Sequence, residues 1–158
     1  MANLILRKED YRRTLIDAAS NEPSVANAPA ILVYTDVFWR NAVKYQAREY
    51  RHAFWDSGTI IANTLATAAA SGIPANLVTG FVDDSVNQLL NLNPRREVTV
   101  ALVPIGYVGE AITGVTPKIG SPQVTTGYKS GFEIDFPAIR EMHQASSLAS
   151  MEEVAEWR

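Results

Sequence analysis

Asp56-Ser-Gly-Thr-Ile-Ile-Ala-Asn-Thr-Leu-Ala-Thr-Ala-Ala-Ala-Ser-Gly72 opens the stretch, running on to Gly106, that decides the fold. Its alanines and other small side chains predict a helix that packs very close to a neighbour, either centrally or at a subunit interface. Gly72 is a natural C-terminal stop, and Pro74 follows two residues later. Asn76 to Thr79 reads as a short strand. Asp83 to Leu90 reads as a helix whose leading Asp83 and Asp84 complement the helix dipole. Val98-Thr-Val-Ala-Leu-Val-Pro-Ile-Gly106 has the β-branched content of a buried central strand, with Pro104 near its end. Thr79-Gly80-Phe81 therefore lies between a strand end and a helix start. A glycine there lets a flat, polar ligand approach the backbone, a geometry that suits a cofactor.

Working outward, Lys8 to Ala19 predicts an amphipathic helix stopped by Asn21-Glu-Pro23. Ala30-Ile-Leu-Val-Tyr34 is a short apolar run that suits a buried strand, with Asp36 as a cap after it. Between Trp39 and Tyr50, Trp39, Val43 and Ala47 share one helical stripe, and Lys44, Arg48 and Arg51 share the next. From Tyr107 to Gly131 glycine and proline interrupt every period, which predicts a long arm. Phe136 to Ser146 and Met151 to Trp157 read as two terminal helical pieces. This order gives an α/β or α+β layer protein with few strands. Its sheet edges then need covering, by a partner subunit or by more of the same fold.

The 158 residues fit one domain, and a hydrophobic fraction of 47% with 20% charged is that of a globular chain. A net charge of −3 supplies no positive field for a phosphate backbone, so nucleic acid is not an expected partner. The absence of cysteine excludes disulfides, thiolate catalysis and cysteine-bound zinc. His52 and His143 are the only histidines, too few for a multi-histidine metal site. The N-terminus is too polar after Leu6 for a secretory signal, and the Ile60 to Ala70 helix is too short and too interrupted to span a bilayer. No membrane partner and a cytoplasmic location are the expectations.

Set in order, several segments resemble one family. Phe38-Trp39-Arg40-Asn-Ala-Val-Lys44-Tyr45-Gln-Ala-Arg48-Glu-Tyr50-Arg51-His52 resembles the Trp-Arg…Lys-Tyr…Arg-x-Tyr-Arg block of the flavin-dependent azoline oxidases. These are the SagB/ThcOx-type dehydrogenases of the nitroreductase superfamily. Asp56-Ser-Gly58, Ala62-Asn-Thr-Leu65 and Ala68-Ala-Ala-Ser-Gly72 match the helix that follows there. Thr79-Gly80-Phe81-Val-Asp83-Asp84 with Leu89-Leu-Asn-Leu92 resembles its Gly-Gly-Phe-Asp-Asp…Leu-Leu-Gly-Leu segment, and Val103-Pro-Ile-Gly106 its closing strand. Ile139 to Leu148 is similar to a segment that joins modules in tandem members. The shared order and spacing make the set more specific than its pieces.

The resemblance implies a nitroreductase-like, FMN-dependent three-layer fold, matched over Ala28 to Gly106 and incomplete at the N-terminus. Residues 1–106 would be a partial, C-terminal half-domain, and 107–158 an arm and helical tail. The basic motif that grips the flavin phosphate in the family's N-terminal half has no counterpart here. By resemblance Lys44 and Tyr45 are the catalytic pair, removing a proton while the flavin takes a hydride. A lysine serves as a base where desolvation or neighbours such as Arg40 and Arg48 lower its pKa. A solvated helix face with one packed aromatic is the alternative. Thr79 and Gly80 would meet the flavin ring, or Gly80 serves only a tight turn. Lys118 would meet its phosphate, or is simply exposed. Arg40, Arg48 and Arg51 would hold an anionic partner such as a peptide substrate, or pair with Glu49 and Asp56. His52 reads as a packed histidine, and Trp39 and Trp55 as core or interface anchors.

The resulting expectation is an FMN-dependent oxidoreductase of the azoline-oxidising type. It would act as a homodimer, on a precursor peptide or with a partner subunit. Two alternatives remain. One is a non-catalytic module of the same fold that supports dimerisation or peptide binding. The other is an unrelated small α/β binding protein.

Overall fold

The computed structural model describes residues 8–110, 112–120 and 134–158. The chain runs α1 (Arg12–Ala18), α2 (Pro23–Ala26), β1 (Ala30–Val37), α3 (Phe38–Tyr45), a 3-10 turn (Gln46–Arg48), α4 (Glu49–Ala70), α5 (Asp83–Leu90), β2 (Glu97–Ile105), α6 (Pro137–Ser146) and α7 (Met151–Trp157). The architecture is α+β.

β2 is the organising element. It is buried at every position but Ile105, which is why it reads as a continuous apolar run rather than an alternating one. It pairs antiparallel with β1, from Ala30 opposite Ile105 to Val37 opposite Glu97, with a bulge at Tyr34/Thr35. Its residues feed three apolar clusters. Leu102 packs with α1, α5 and Val154 of α7. Val98 and Val100 pack with Phe38, Ala42, Ala53 and Ile139. Ala101 and Val103 meet Ile61 of α4.

The helix stops follow backbone chemistry. After α4, Gly72 takes φ +67°. Its N–H then bonds Ala69 O, and that of Ile73 bonds Ala68 O. This is the paired closure that a left-handed residue permits. Asn91, at φ 57°, closes α5 in the same way through Leu92 and Asn87.

The structure corrects several boundaries. α1 begins at Arg12, not Lys8, because Asp10 turns back to bond the Arg12 N–H. β1 continues through Asp36, so Asp36 is a strand residue and caps nothing. The long helix starts at Glu49, seven residues before Asp56. The break falls at Gln46, whose φ of 54° ends α3, and Glu49 then opens α4. The expected strand at 76–79 is reduced to isolated bridges, Ala75 to Ile105 and Val78 to Leu102. α2, with Pro23 at its first turn and the Glu22 side chain accepting from the Ser24 N–H, is an addition.

α4 buries one stripe, Ala53, Ser57, Ile61 and Ala68, against the sheet side. The opposite stripe, Trp55, Thr59, Ala62, Ala66 and Ala69, is exposed along its whole length. Among the described residues no strand covers the outer edge of β1, and no helix is long and apolar enough to cross a membrane.

Candidate functional site

The turn at residues 79–82 leads into α5, and the C-terminal tail is fastened along it. Leu148 donates its N–H to Asp83 Oδ2 at 2.9 Å, and its carbonyl accepts the Asp83 N–H at 3.1 Å. Val82 and Leu148 form a parallel bridge. Ser150 then caps α7 by accepting from the Glu153 N–H, while the Glu153 carboxylate accepts the N–H of Ala149, the residue before the cap. At the far end Arg158 pairs with Glu22 at 2.6 Å and donates to the carbonyls of Ala19 and Ser20.

This fastening lays the Trp157 indole against Gly80. A Cβ on Gly80 would lie 2.7 Å from Trp157 Cε3 and 2.9 Å from Cζ3. Gly80 is thus closely approached, although the sequence suggests a ligand there. The flat ring that approaches it here is the chain's own.

Between tail and turn lies a cavity of about 560 Å³ lined by Tyr50, Phe54, Thr79, Thr99, His143 and Trp157, among others. Burial lowers the pKa of His143, opposed by the Asp84 charge, so the imidazole is neutral at neutral pH. Burial raises the Asp83 carboxyl to about 6, against the Leu148 N–H that favours its charged form. Thr99 Oγ1 is buried without a hydrogen-bond partner. The sequence singled out only Thr79 here. Residues 50, 99, 143 and 157 share no spacing that would announce the cavity, because β2 and the tail bring them together.

Lys44 and Tyr45 lie elsewhere, at the C-terminal end of α3, and line none of the cavities described. The Lys44 ammonium sits 4.7 Å from the Tyr45 ring centroid. Tyr45 stacks on His52 at 3.8 Å, and His52 meets Trp55 edge-on at 5.0 Å. His52 is thus packed on aromatics, though on Tyr45 and Trp55. Tyr50 and Phe54 pair with each other, as i,i+4 neighbours do. Lys44 is exposed, and its hydrogen bond to Tyr45 raises its pKa. That is the opposite of what a lone lysine base needs.

Lys118 is exposed, on an arm held to the body by Ile112 N–H to Ala26 O and by Thr116 Oγ1 to Asp17 Oδ2 at 2.6 Å. Arg40, Arg48 and Arg51 are exposed as well, with Arg51 5.8 Å from the Trp55 ring centroid. Glu49 is no surface partner for them, since it is fully buried. Its carboxyl is pushed up to about 7 by burial first and the Asp36 charge second, against the opposing effect of Asn41. Asp36 is raised to about 6 by burial and by Asp56 and Glu97, with Arg40 opposing. Trp55 is 57% exposed, and so is not a core anchor. Among the described residues no group of three or more His, Asp or Glu could hold a metal ion.

The nitroreductase family matches residues 2–107, more than half of the chain. The chain belongs to the nitroreductase family. The nitroreductase-like fold is seen again in a chain classed as a nitroreductase from Anabaena variabilis ATCC 29413. The likeness has a TM-score of 0.71 at 23% identity and covers 91% of this chain and 30% of that one. NfrA1 of B. megaterium is similar with a TM-score of 0.53 at 16% identity, over 92% of this chain and 74% of its own. A chain of the E. coli microcin synthetase McbBCD complex, with truncated pro-MccB17 bound, is 28% identical. That match covers 51% of this chain and 30% of that one, with a TM-score of 0.47. No curated protein matches. This nitroreductase-family chain thus spans less than a third of the length of the Anabaena chain. Proteins of the family generally use a flavin.

Proposed function

We propose that this chain is the C-terminal part of an FMN-dependent oxidoreductase of the azoline-oxidising type, acting as a homodimer on thiazoline or oxazoline rings in a peptide. The observation that carries the reading is the conjunction of nitroreductase membership over residues 2–107 with the Lys44-Tyr45 pair in its Trp-Arg…Lys-Tyr…Arg-x-Tyr-Arg setting. Thr79 and Gly80 would hold the ring end of the cofactor. By resemblance Lys118 would meet its phosphate, and the rest of that grip would come from outside this chain. Bound FMN supplies an acceptor for the hydride leaving the azoline carbon.

The chain's own contribution is the proton. Lys44 and Tyr45 act as one unit, because the lysine's pKa is raised by its hydrogen bond to the tyrosine. The pair would take the proton released as the ring becomes aromatic. Lys44 is exposed, so the pair needs a covering surface to work in a dry site. The exposed stripe of α4, small and apolar at most positions, is the surface on which a second copy would pack. Trp157 lies against Gly80, so ring binding would require the indole to stack on the cofactor or swing away.

The test is a visible spectrum of the purified protein, as isolated and after adding FMN. Bands near ~370 and ~450 nm that stay with the protein on desalting are expected. Lys44→Ala and Tyr45→Phe should keep the bands and lose about 10²–10⁴ in azoline oxidation. A colourless protein would remove the flavin reading. A coloured protein whose variants turn over normally would remove the Lys44-Tyr45 role and leave a reductase of another kind. A colourless protein that still binds peptide would be the non-catalytic module.

A further inference from the structure

The cavity between the tail and the Thr79–Gly80 turn, about 560 Å³, is large enough for a small organic ligand. Five of its lining residues carry rings: Tyr50, Phe54, Phe81, His143 and Trp157. The rings stand at angles to one another. Tyr50 meets Phe54 at 70° with centroids 5.1 Å apart, and lies at 54° to His143. The acid on the wall is Asp83. Among the described residues no lysine or arginine lines this cavity, and none forms an ion pair with Asp83. Asp83, raised to about 6 by burial, is charged at neutral pH, while His143, lowered by burial, is not. Arg158, next to Trp157, is engaged by Glu22 and by the carbonyls of Ala19 and Ser20.

The hydroxyls on the α6 side of the cavity already have partners. Tyr50 and Ser146 share a hydrogen bond, Ser146 donates to the Met142 carbonyl at 2.9 Å, and Ser147 donates to that of His143 at 2.8 Å. What remains for a ligand is ring surface and one carboxylate. Asp83 Oδ2 accepts the Leu148 N–H, and a carboxylate has capacity for further contacts. The negative faces of aromatic rings attract a cation, and the carboxylate adds to that attraction. A phosphate or carboxylate ligand would be repelled. A head rich in N–H donors would lose its water and find few acceptors in exchange. An alkylated ammonium carries charge without N–H groups to satisfy. We propose that this cavity binds a quaternary ammonium group, held against the rings of Tyr50, Phe54 and Trp157 with Asp83 as its counter-ion. Such binding uses Trp157 where it lies against Gly80, and needs no flavin.

Two sources share this chemistry, a small free cation and a methylated lysine in a peptide. The experiment titrates the whole chain, ¹⁵N-labelled at its tryptophans, with four probes. These are choline, its neutral analogue with carbon in place of the nitrogen, N-acetyl-trimethyllysine-amide and N-acetyl-lysine-amide. The three tryptophans give three indole N–H signals, and Trp157→Phe assigns one by removing it. Choline should move that signal and saturate, with the signals of Trp39 and Trp55, which do not line the cavity, left in place. The carbon analogue, of the same shape but neutral, should bind roughly tenfold more weakly, as expected for losing cation–π attraction in a partly desolvated site. Asp83→Asn removes the charge but keeps an acceptor for the Leu148 N–H, and should weaken choline roughly threefold or more while sparing the analogue. Phe54→Leu should weaken choline more than the analogue. Phe54 is 44% exposed, so the melting temperature of that variant should change little. Tighter binding of the trimethyllysine compound than of choline, lost in its unmethylated form, supports a peptide side chain as the ligand. Tighter binding of choline supports a small free cation. A Trp157 signal that responds to neither quaternary cation overturns the proposal. Equal binding of choline and its carbon analogue, or of choline by wild type and Asp83→Asn, would also overturn it.

Discussion

Gly80 illustrates what one residue can disclose and what it hides. The sequence places it between a strand-like segment and a helix, and that alone predicts close approach of something flat. Its φ is not in the left-handed region, so the requirement is for space and not for backbone freedom. The identity of the neighbour is not legible, because Trp157 lies 77 positions away and is brought to Gly80 by the fastening of the tail at Leu148 and Arg158. Gly80→Ala should therefore displace the indole, not break the core. The ring atoms met are at the free end of a side chain that is 58% exposed. A loss of about 1 kcal/mol is expected, the low end for overpacking. Urea unfolding of Gly80→Ala, Trp157→Ala and the double variant measures this. The glycine substitution should cost almost nothing once Trp157 is gone. Equal costs in both backgrounds would mean that the contact does not form in solution.

Elements show the same division between local and distant causes. α5 and α7 are read from the sequence at their observed bounds, because each carries its own start signal. For α5 this is the acidic pair Asp83-Asp84, and for α7 the structure shows Ser150, whose side chain accepts from the Glu153 N–H. The small residues that begin after Asp56 set the expected start of α4 there, and Glu49, Arg51 and His52 make its true first two turns look polar and solvated. In the fold that segment lies over β1 and β2, and Glu49 is fully buried beside Asp36. The acids come from three elements, Asp36 and Glu97 on the strands and Glu49 and Asp56 on α4, with Arg40 of α3 as the opposing charge. A raised carboxyl keeps its proton in the folded chain after the unfolded chain has lost it. For Glu49 that window runs from its usual 4.5 to about 7, and for Asp36 from 3.8 to about 6. Across it the folded state binds more protons, so stability falls as pH rises, and this contribution is flat above about 7. Melting temperatures between pH 4.5 and 8 should show that decline. Glu49→Gln should make it shallower and be more stable than wild type at pH 8 by about 1 kcal/mol. Parallel pH profiles for the two proteins would place the charge elsewhere.

At the scale of the whole molecule, the order of elements was legible and the missing surfaces were only announced. Few strands imply open edges, and the outer edge of β1 has no strand on it among the described residues. The small-residue helix was expected to be central or at an interface. α4 packs one stripe on the sheet and leaves the other to solvent, so within this chain the interface reading is the one left to test. Trp55, Thr59, Ala62, Ala66 and Ala69 recur at alternating steps of four and three, the spacing of a helix seam. Small residues along it allow two such helices to approach closely, with Trp55 at one end as a larger anchor. Ala66 lies within that seam. Ala66→Glu would bring like charges together across a twofold axis, at a cost of about 3 kcal/mol or roughly two orders of magnitude in the dimer dissociation constant. The position is solvent-exposed within one chain, so helical content should be unchanged by circular dichroism. Light scattering after gel filtration should give a dimer for the wild type and a monomer for the variant. If FMN sits between subunits, the variant should also lose the ~450 nm band. A variant that remains dimeric would show that two copies meet on another face. One that becomes monomeric but keeps its flavin would place the cofactor within a single chain.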